Sequence, residues 1–224
     1  MLETGTVQQL NLQTICDGMI RVRDNASGLL EDAKLLRQNG RITRAYALAY
    51  MACEEAGKLS ILIGAATRIA VGIPTDWKAM RKRFLSHDSK ASQFLALARV
   101  IPMITQAAAE GQKTVDAEEL RIKASAGVMI GPALFEKRNA SIYCNFTAGS
   151  FTSPSEEITE PMADQMIGFA DTNLLAANLI LGKSADEAAA KITASASRAR
   201  YDNAMSFAED MSQTIEAAFR KHDT

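Results

Sequence analysis

Glycines and prolines divide this chain into long stretches of helical periodicity, and this division limits it to a helical fold. The stretches predict helices over residues 6–38, 42–71, 76–108, 115–130, 132–142, 160–181 and 184–221. Aromatic residues make up only 6% of the chain and alanine is frequent, which favours helices over strands. The expected fold class is therefore all-α, with long antiparallel central helices.

The length and the net charge of the chain exclude some classes of function. A chain of 224 residues without a fixed-period repeat fits a single domain over residues 1–224. A formal net charge of -1 argues against a protein that coats nucleic acid or an acidic membrane with its whole surface, although a local basic site remains compatible.

The cysteines and the apolar segments bear on compartment and cofactors. Cys16, Cys53 and Cys144 are odd in number, far apart and without CxxC spacing, so neither a disulfide framework nor a zinc site is expected. The N-terminus lacks an export signal, and the longest apolar stretch is interrupted by Arg68 and too short for a bilayer. We expect a cytoplasmic protein with no metal, no cofactor and no membrane partner.

The segment over residues 147–161 is the one long connection between predicted helices. Ser153, Pro154 and Glu156 stand in it in the order of an N-cap, a first-turn proline and a capping-box acid. Loops of this length are often functional, but a surface connection between two parts of one bundle fits equally well.

The predicted helix 42–71 is apolar nearly all round, the pattern of a central helix. Its 3-4 stripe is interrupted by Glu55, and a carboxylate there needs a partner. Glu54 lies one turn before Lys58, the favourable orientation for an ion pair. Two interpretations stay open: Glu54 and Lys58 form a solvated pair with Glu55 as a satisfied core acid, or these groups support a site.

The predicted helix 76–108 carries His87 on the same face as its bulky apolar residues, with Lys90 one turn further on. A lone histidine on an apolar face is more often a hydrogen-bonded core residue than a functional one. A ten-residue run of this helix contains a single acid, Asp88, and four cations: Arg81, Lys82, Arg83 and Lys90. Such a run can bind phosphate groups, but it is also typical of an ordinary solvent-exposed face.

A third group lies in the segment FEKRNASIYCNF, where Arg138 and Asn139 precede Tyr143. The five-residue spacing from Arg138 to Tyr143 brings the two side chains to one site only if the helix stops or bends between them. An arginine fork beside an asparagine suits the binding of an RNA phosphate.

Taken in order, four segments carry a family resemblance: NASGLLEDAKLLRQNGRITRAYALAYMACEEAGKLSIL, FLSHDSK, FEKRNASIYCNF and FTSPSEEIT. The ordered set resembles the AbiV-type abortive-infection proteins, a branch of the HEPN superfamily, over residues 25–180. The resemblance implies a small helical bundle, commonly homodimeric, that acts in bacterial defence against phage.

The resemblance also implies a site. HEPN ribonucleases carry an arginine followed four to six residues later by a histidine, often with a polar residue after the arginine. Arg138 takes the arginine position and Asn139 the polar one, but Tyr143 stands where the histidine would be. Because a phenol is a poor general base at neutral pH, the expected site is rebuilt around Arg138, His87 and Tyr143. The supporting residues are expected to be Asn139, Lys90, Glu54, Glu55 and Lys58.

Two functions stay open at this stage. One is a metal-independent endoribonuclease or toxin that halts host translation. The alternative is a non-catalytic bundle that binds a protein or RNA component, for example a phage-encoded trigger or a part of the translation machinery. A ferritin-like metal centre is excluded by spacing, because Phe84 stands where a ligand glutamate would precede His87.

The sequence thus predicts one pocket. Buried polar groups need partners, so Glu55, His87 and Arg138 are expected around it, with Tyr143 and Asn139 at its edge and residues 147–161 nearby. A homodimer is expected from the resemblance and from the alanine- and methionine-rich stretches.

Overall fold

The computed structural model describes residues 10–111 and 115–206, together with residues 209 and 213. Residues 6–9 of the first predicted helix lie outside the described residues, as does the predicted end of the last helix at residue 221. The predicted single helix over residues 184–221 is wrong, because the helix Ala185–Ser195 ends where Ala196 takes up an extended backbone. The described elements are α1 Leu12–Gln38, α2 Ile42–Ala70, α3 Trp77–Leu85, α4 His87–Ala109, α5 Ala117–Met129, α6 Gly131–Ala140, β1 Asn145–Thr147, β2 Ser150–Thr152, α7 Pro154–Glu157, α8 Glu160–Leu181 and α9 Ala185–Ser195.

The all-α prediction is confirmed. The helix α2 lies at the centre, buried on nearly all sides and packed against α1, α4 and α8. Its first half shares one apolar cluster with the end of α1, and its second half shares another with the start of α1. The long antiparallel pair of the bundle is therefore α1 with α2, joined by the three residues from Asn39 to Arg41.

The helix α8 runs antiparallel to α1 on the same core. The Arg37 guanidinium donates to Asp164 at 2.7 Å, and the Lys34 ammonium donates to Asp171 at 2.6 Å. The Arg37 contact holds the pKa of the Asp164 carboxyl below its usual range. Both pairs are exposed, so they contribute to the alignment of the helices more than to the stability of the fold.

The predicted single helix over residues 76–108 is wrong. The chain breaks at Ser86, which has an extended backbone and separates α3 from α4. The Ser86 amide closes α3 by donating to the carbonyls of Lys82 and Arg83, and the Ser86 carbonyl accepts from the Lys90 amide in the first turn of α4. A serine suits this double role because it is a preferred N-cap residue. The segment is thus two shorter helices, and the long antiparallel partner of α2 is α1.

The predicted loop over residues 147–161 is also corrected. The strands β1 and β2 pair antiparallel over Asn145–Thr152, and α7 follows. The predicted cap at Ser153 is confirmed, since the Ser153 amide donates to the Glu156 carboxylate at 2.6 Å. No helix in the described part of the chain is long and apolar enough to cross a membrane.

Candidate active site

A histidine and a glutamate from neighbouring helices meet beside the centre of the bundle. His87 is the first residue of α4, and its Nδ1 lies 2.9 Å from the Glu54 Oε1 on α2. The His87 side chain is 55% exposed, whereas the Glu54 side chain is 11% exposed. A buried carboxylate thus fixes one ring nitrogen while the rest of the imidazole faces solvent.

A glycine brings the two helices close enough for this contact. A Cβ built on Gly57 would lie 2.3 Å from the Lys90 carbonyl oxygen, so only glycine fits at this point of α2. Gly57 lies three residues after Glu54, and Lys90 three residues after His87. The segments EEAGK at residues 54–58 and HDSK at residues 87–90 are therefore two sides of one helix contact, where Lys90 is itself buried.

Glu55, the second glutamate of the segment EEAGK, has a different partner from Glu54. The Lys58 ammonium donates to Glu55 Oε2 at 2.5 Å and lies over the Phe84 ring at 5.1 Å from its centroid. Of the two interpretations left open above, the pair of Lys58 with Glu54 is not formed, because Glu54 contacts His87 instead. Glu55 and Lys58 thus hold the end of α3 against α2.

Arg138 of α6 lies over two aromatic rings next to this contact. Its guanidinium carbon is 4.7 Å from the centroid of Phe135 and 5.8 Å from that of Tyr50, and Phe135 is 6.0 Å from the His87 ring. The Arg138 Nε and the Tyr50 hydroxyl are buried without a hydrogen-bond partner among the described residues. Arg138 and His87 therefore contact the same phenylalanine from two helices.

The charges around Tyr50 indicate how close these groups are. Burial raises the pKa of the Tyr50 hydroxyl, the Glu54 carboxylate adds to the rise, and the Arg138 guanidinium opposes it. Tyr50 remains a neutral donor over the physiological range. A tyrosine, a glutamate and an arginine thus interact electrostatically at one place.

Asn139 lies in the last turn of α6, and Tyr143 lies beyond its end. The Asn139 carbonyl accepts the amides of Ile142 at 3.1 Å and Tyr143 at 3.0 Å, which closes the helix. The Tyr143 side chain is 61% exposed, and no hydrogen bond or ring contact between described residues joins it to Arg138 or His87. The tyrosine over which Arg138 lies is Tyr50.

Comparison with models of protein families identifies the family of the chain. The model of the HEPN family described as AbiV matches residues 14–174, which include all four segments that carry the resemblance. The chain belongs to the AbiV family of HEPN proteins. Searches of curated proteins and of solved structures gave no match. Family membership places the chain among abortive-infection proteins of anti-phage defence.

Two residues of this AbiV-family site were missed in the sequence. Tyr50 lies four residues before Glu54 on α2, and Phe135 lies three residues before Arg138 on α6, so each shares a helix face with a predicted residue. This spacing is the only feature of the sequence that connects Tyr50 and Phe135 with the site. Neither residue interrupts an apolar pattern, and in a sequence an aromatic residue of a functional site on an apolar face looks the same as an aromatic residue of the core.

Two further features of the AbiV-family chain concern ligands. No group of three or more histidine, cysteine or acidic side chains within the described residues can hold a metal ion. The cations Lys78, Arg81, Lys82 and Arg83 of α3 are exposed, while Trp77 and Phe84 of the same helix pack on the core. The basic face of α3 therefore points to solvent, and its last cation, Arg83, lies four residues before His87.

Proposed function

We propose that the chain is a metal-independent endoribonuclease that acts in abortive infection by cleaving RNA. The contact between Glu54 and His87 beside Arg138 carries this proposal, because it combines an oriented, solvent-facing imidazole with an adjacent guanidinium. Imidazole exchanges protons near neutral pH, and arginine suits the planar recognition of phosphate.

The proposed chemistry uses the chain's own groups. When His87 Nδ1 donates its proton to Glu54, Nε2 keeps a free lone pair and accepts the proton of an RNA 2′-hydroxyl. The 2′-oxygen then bonds to phosphorus while the bond from phosphorus to the 5′-oxygen breaks. The products are a 2′,3′-cyclic phosphate and a 5′-hydroxyl: the 5′-oxygen takes a proton from water, and the imidazolium of His87 returns its proton to the hydroxide left behind.

The Arg138 guanidinium beside the His87 ring supports the binding of an anion. Arg138 approaches a phosphate on which charge develops through its terminal nitrogens, because its Nε, like the nearby Tyr50 hydroxyl, is buried. Glu54 acts as a positioning residue that holds the imidazole. Tyr143 and Asn139 lie at the end of α6, where they contact RNA rather than take up the proton.

The test is cleavage of single-stranded RNA by the purified protein in excess EDTA. We expect 2′,3′-cyclic phosphate ends, a rate lower by about tenfold or more in Glu54→Gln, and partial rescue in Glu54→Asp. Glu55→Gln is the matched control, because Glu55 pairs with Lys58 and is expected to change the rate little. Absence of cleavage under all conditions would favour the non-catalytic bundle.

We propose also that the chain forms a homodimer. Leu175 and Leu179 of α8 are 56% and 65% exposed and lie one turn apart, which is an apolar face of the kind that dimers cover. Sedimentation at micromolar concentration is expected to give twice the mass of 24.2 kDa. A Leu175→Lys, Leu179→Lys variant is expected to sediment as a monomer, and an unchanged dimer would place the interface elsewhere.

A further inference from the structure

The hairpin of β1 and β2 exposes two stacked phenylalanines. Phe146 and Phe151 are direct partners in its register, and their ring centroids lie 4.7 Å apart. Their side chains are 64% and 77% exposed, so the pair does not contribute to the core. Neighbouring Tyr143 is exposed as well. A cluster of exposed aromatic rings is typical of a binding surface.

A groove opens at the base of this hairpin. A cavity of about 370 Å³ is lined by residues that precede the hairpin, follow it or begin α2: Thr43, Arg44, Ser141, Ile142, Pro154 and Ser155. A second cavity of about 420 Å³ shares Thr43, Arg44 and Ser155 with the first and extends to Arg41. The two cavities form one open groove along the start of α2.

The charge of the groove is positive. Arg41 and Arg44 are exposed, and neither forms an ion pair with a carboxylate in the described parts of the chain. Glu160 also lines the groove, but it accepts a hydrogen bond from Arg37 at 2.9 Å, which offsets its charge. The groove therefore favours an anionic occupant.

The groove and the candidate active site share one face of α2. Thr43, Tyr50 and Glu54 are separated by seven and four residues, so they lie on one stripe, over about 16 Å of helix axis. The helix α6 packs beside α2, with Phe135 next to the His87 ring. Ser141, the residue that follows α6, lines the groove. The α2 stripe between the two sites is covered, since Tyr50 is fully buried, so a ligand that extends from the hairpin to His87 runs over the surface of α6.

We propose that the hairpin and the groove form a subsite for single-stranded RNA, in which Phe146 and Phe151 stack on bases and Arg44 binds a phosphate. The proposal rests on the function proposed above and extends its site by several nucleotides. Aromatic stacking together with basic side chains is the general mode of single-strand binding. Two phenylalanines alone bury far less than the roughly 800 Å² per partner of a standard interface, which disfavours a second copy as the occupant.

The experiment measures binding of a fluorescent 12-nucleotide RNA whose riboses are 2′-O-methylated, so that it is not cleaved. The double variant Phe146→Leu, Phe151→Leu is expected to raise Kd by about tenfold or more, whereas Phe146→Tyr, Phe151→Tyr keeps the affinity because tyrosine still stacks. Arg44→Gln is expected to weaken binding and to lower the slope of log Kd against log salt by about 1. The matched control is Arg21→Gln, an exposed cation of α1.

A second readout uses Cys144, an exposed thiol two residues before Phe146. Bound RNA is expected to slow its alkylation in the wild type and not in the double leucine variant. Unchanged affinity in the double leucine and Arg44→Gln variants, or no RNA binding by the wild type, would overturn the subsite. Dissociation of a dimer by the leucine substitutions would overturn it too, because the occupant would then be a second copy.

The subsite and the ribonuclease can fail separately. Binding of the blocked RNA without cleavage of unmodified RNA by the wild type would reject the ribonuclease and leave the subsite standing. Cleavage by the wild type together with full binding and cleavage by the double leucine variant would reject the subsite alone.

Discussion

Replacing Arg138 with alanine is expected to abolish phage protection and to lower RNA cleavage by about a hundredfold or more. The reason is that Arg138 is the one guanidinium among the described residues that lies beside the ring packed on His87. A donor aimed at developing charge contributes far more to the transition state than to the ground state. The measurement is single-turnover cleavage in EDTA together with plaque counts on cells that express the variant.

Two further substitutions sharpen this result. Arg138→Lys is expected to recover only part of the rate, because an ammonium group lacks the planar fork of a guanidinium. His87→Ala is expected to lower cleavage by about a hundredfold to ten-thousandfold, the contribution of a general base.

The matched control is Lys137→Ala. Lys137 is the neighbouring cation on α6, but its ammonium donates to Glu157 at 2.7 Å and so points toward α7. We expect this variant to protect cells fully. Folding is monitored by thermal unfolding, where Arg138→Ala is expected to lose about 1 kcal/mol through its contacts with two aromatic rings. Full protection by a folded Arg138→Ala protein would contradict the proposed site.

The sequence predicted the helical class and most helix ends because these depend on local signals. Gly40 marks the turn from α1 to α2, where its φ is 70°, and the cap at Ser153 was readable from residue types alone. Ser86 was missed because a break without glycine or proline leaves the apolar spacing almost undisturbed. That break places His87 at the exposed start of α4 rather than inside a core stripe.

The choice between Glu54 and Glu55 was beyond sequence reasoning for a different reason. A helix buried on nearly all sides has no single apolar face, so a 3-4 stripe drawn through α2 does not identify the side that meets α4. The true side is marked by Gly57, whose missing Cβ admits the Lys90 carbonyl. The contact of Arg138 with Tyr50 likewise depends on tertiary packing between distant segments.

Replacing Gly57 with alanine is expected to destabilise the fold by about 1–3 kcal/mol, although alanine is the better helix former. The new methyl group would lie 2.3 Å from the Lys90 carbonyl oxygen and 3.0 Å from the carbonyl carbon, so the backbone of α4 must move away from α2. Because the contact between Glu54 and His87 lies one turn earlier on both helices, the same movement is expected to separate them.

The matched control is Gly64→Ala on the same helix, where a new Cβ meets nothing within 4 Å. There we expect a gain of about 0.5–1 kcal/mol from helix propensity alone. Urea unfolding is therefore expected to show a lower free energy of unfolding than the wild type for Gly57→Ala and a higher one for Gly64→Ala. The rate of RNA cleavage is expected to fall only in Gly57→Ala. A stabilised Gly57→Ala protein with full activity would show that α4 does not need this close approach to hold His87 against Glu54.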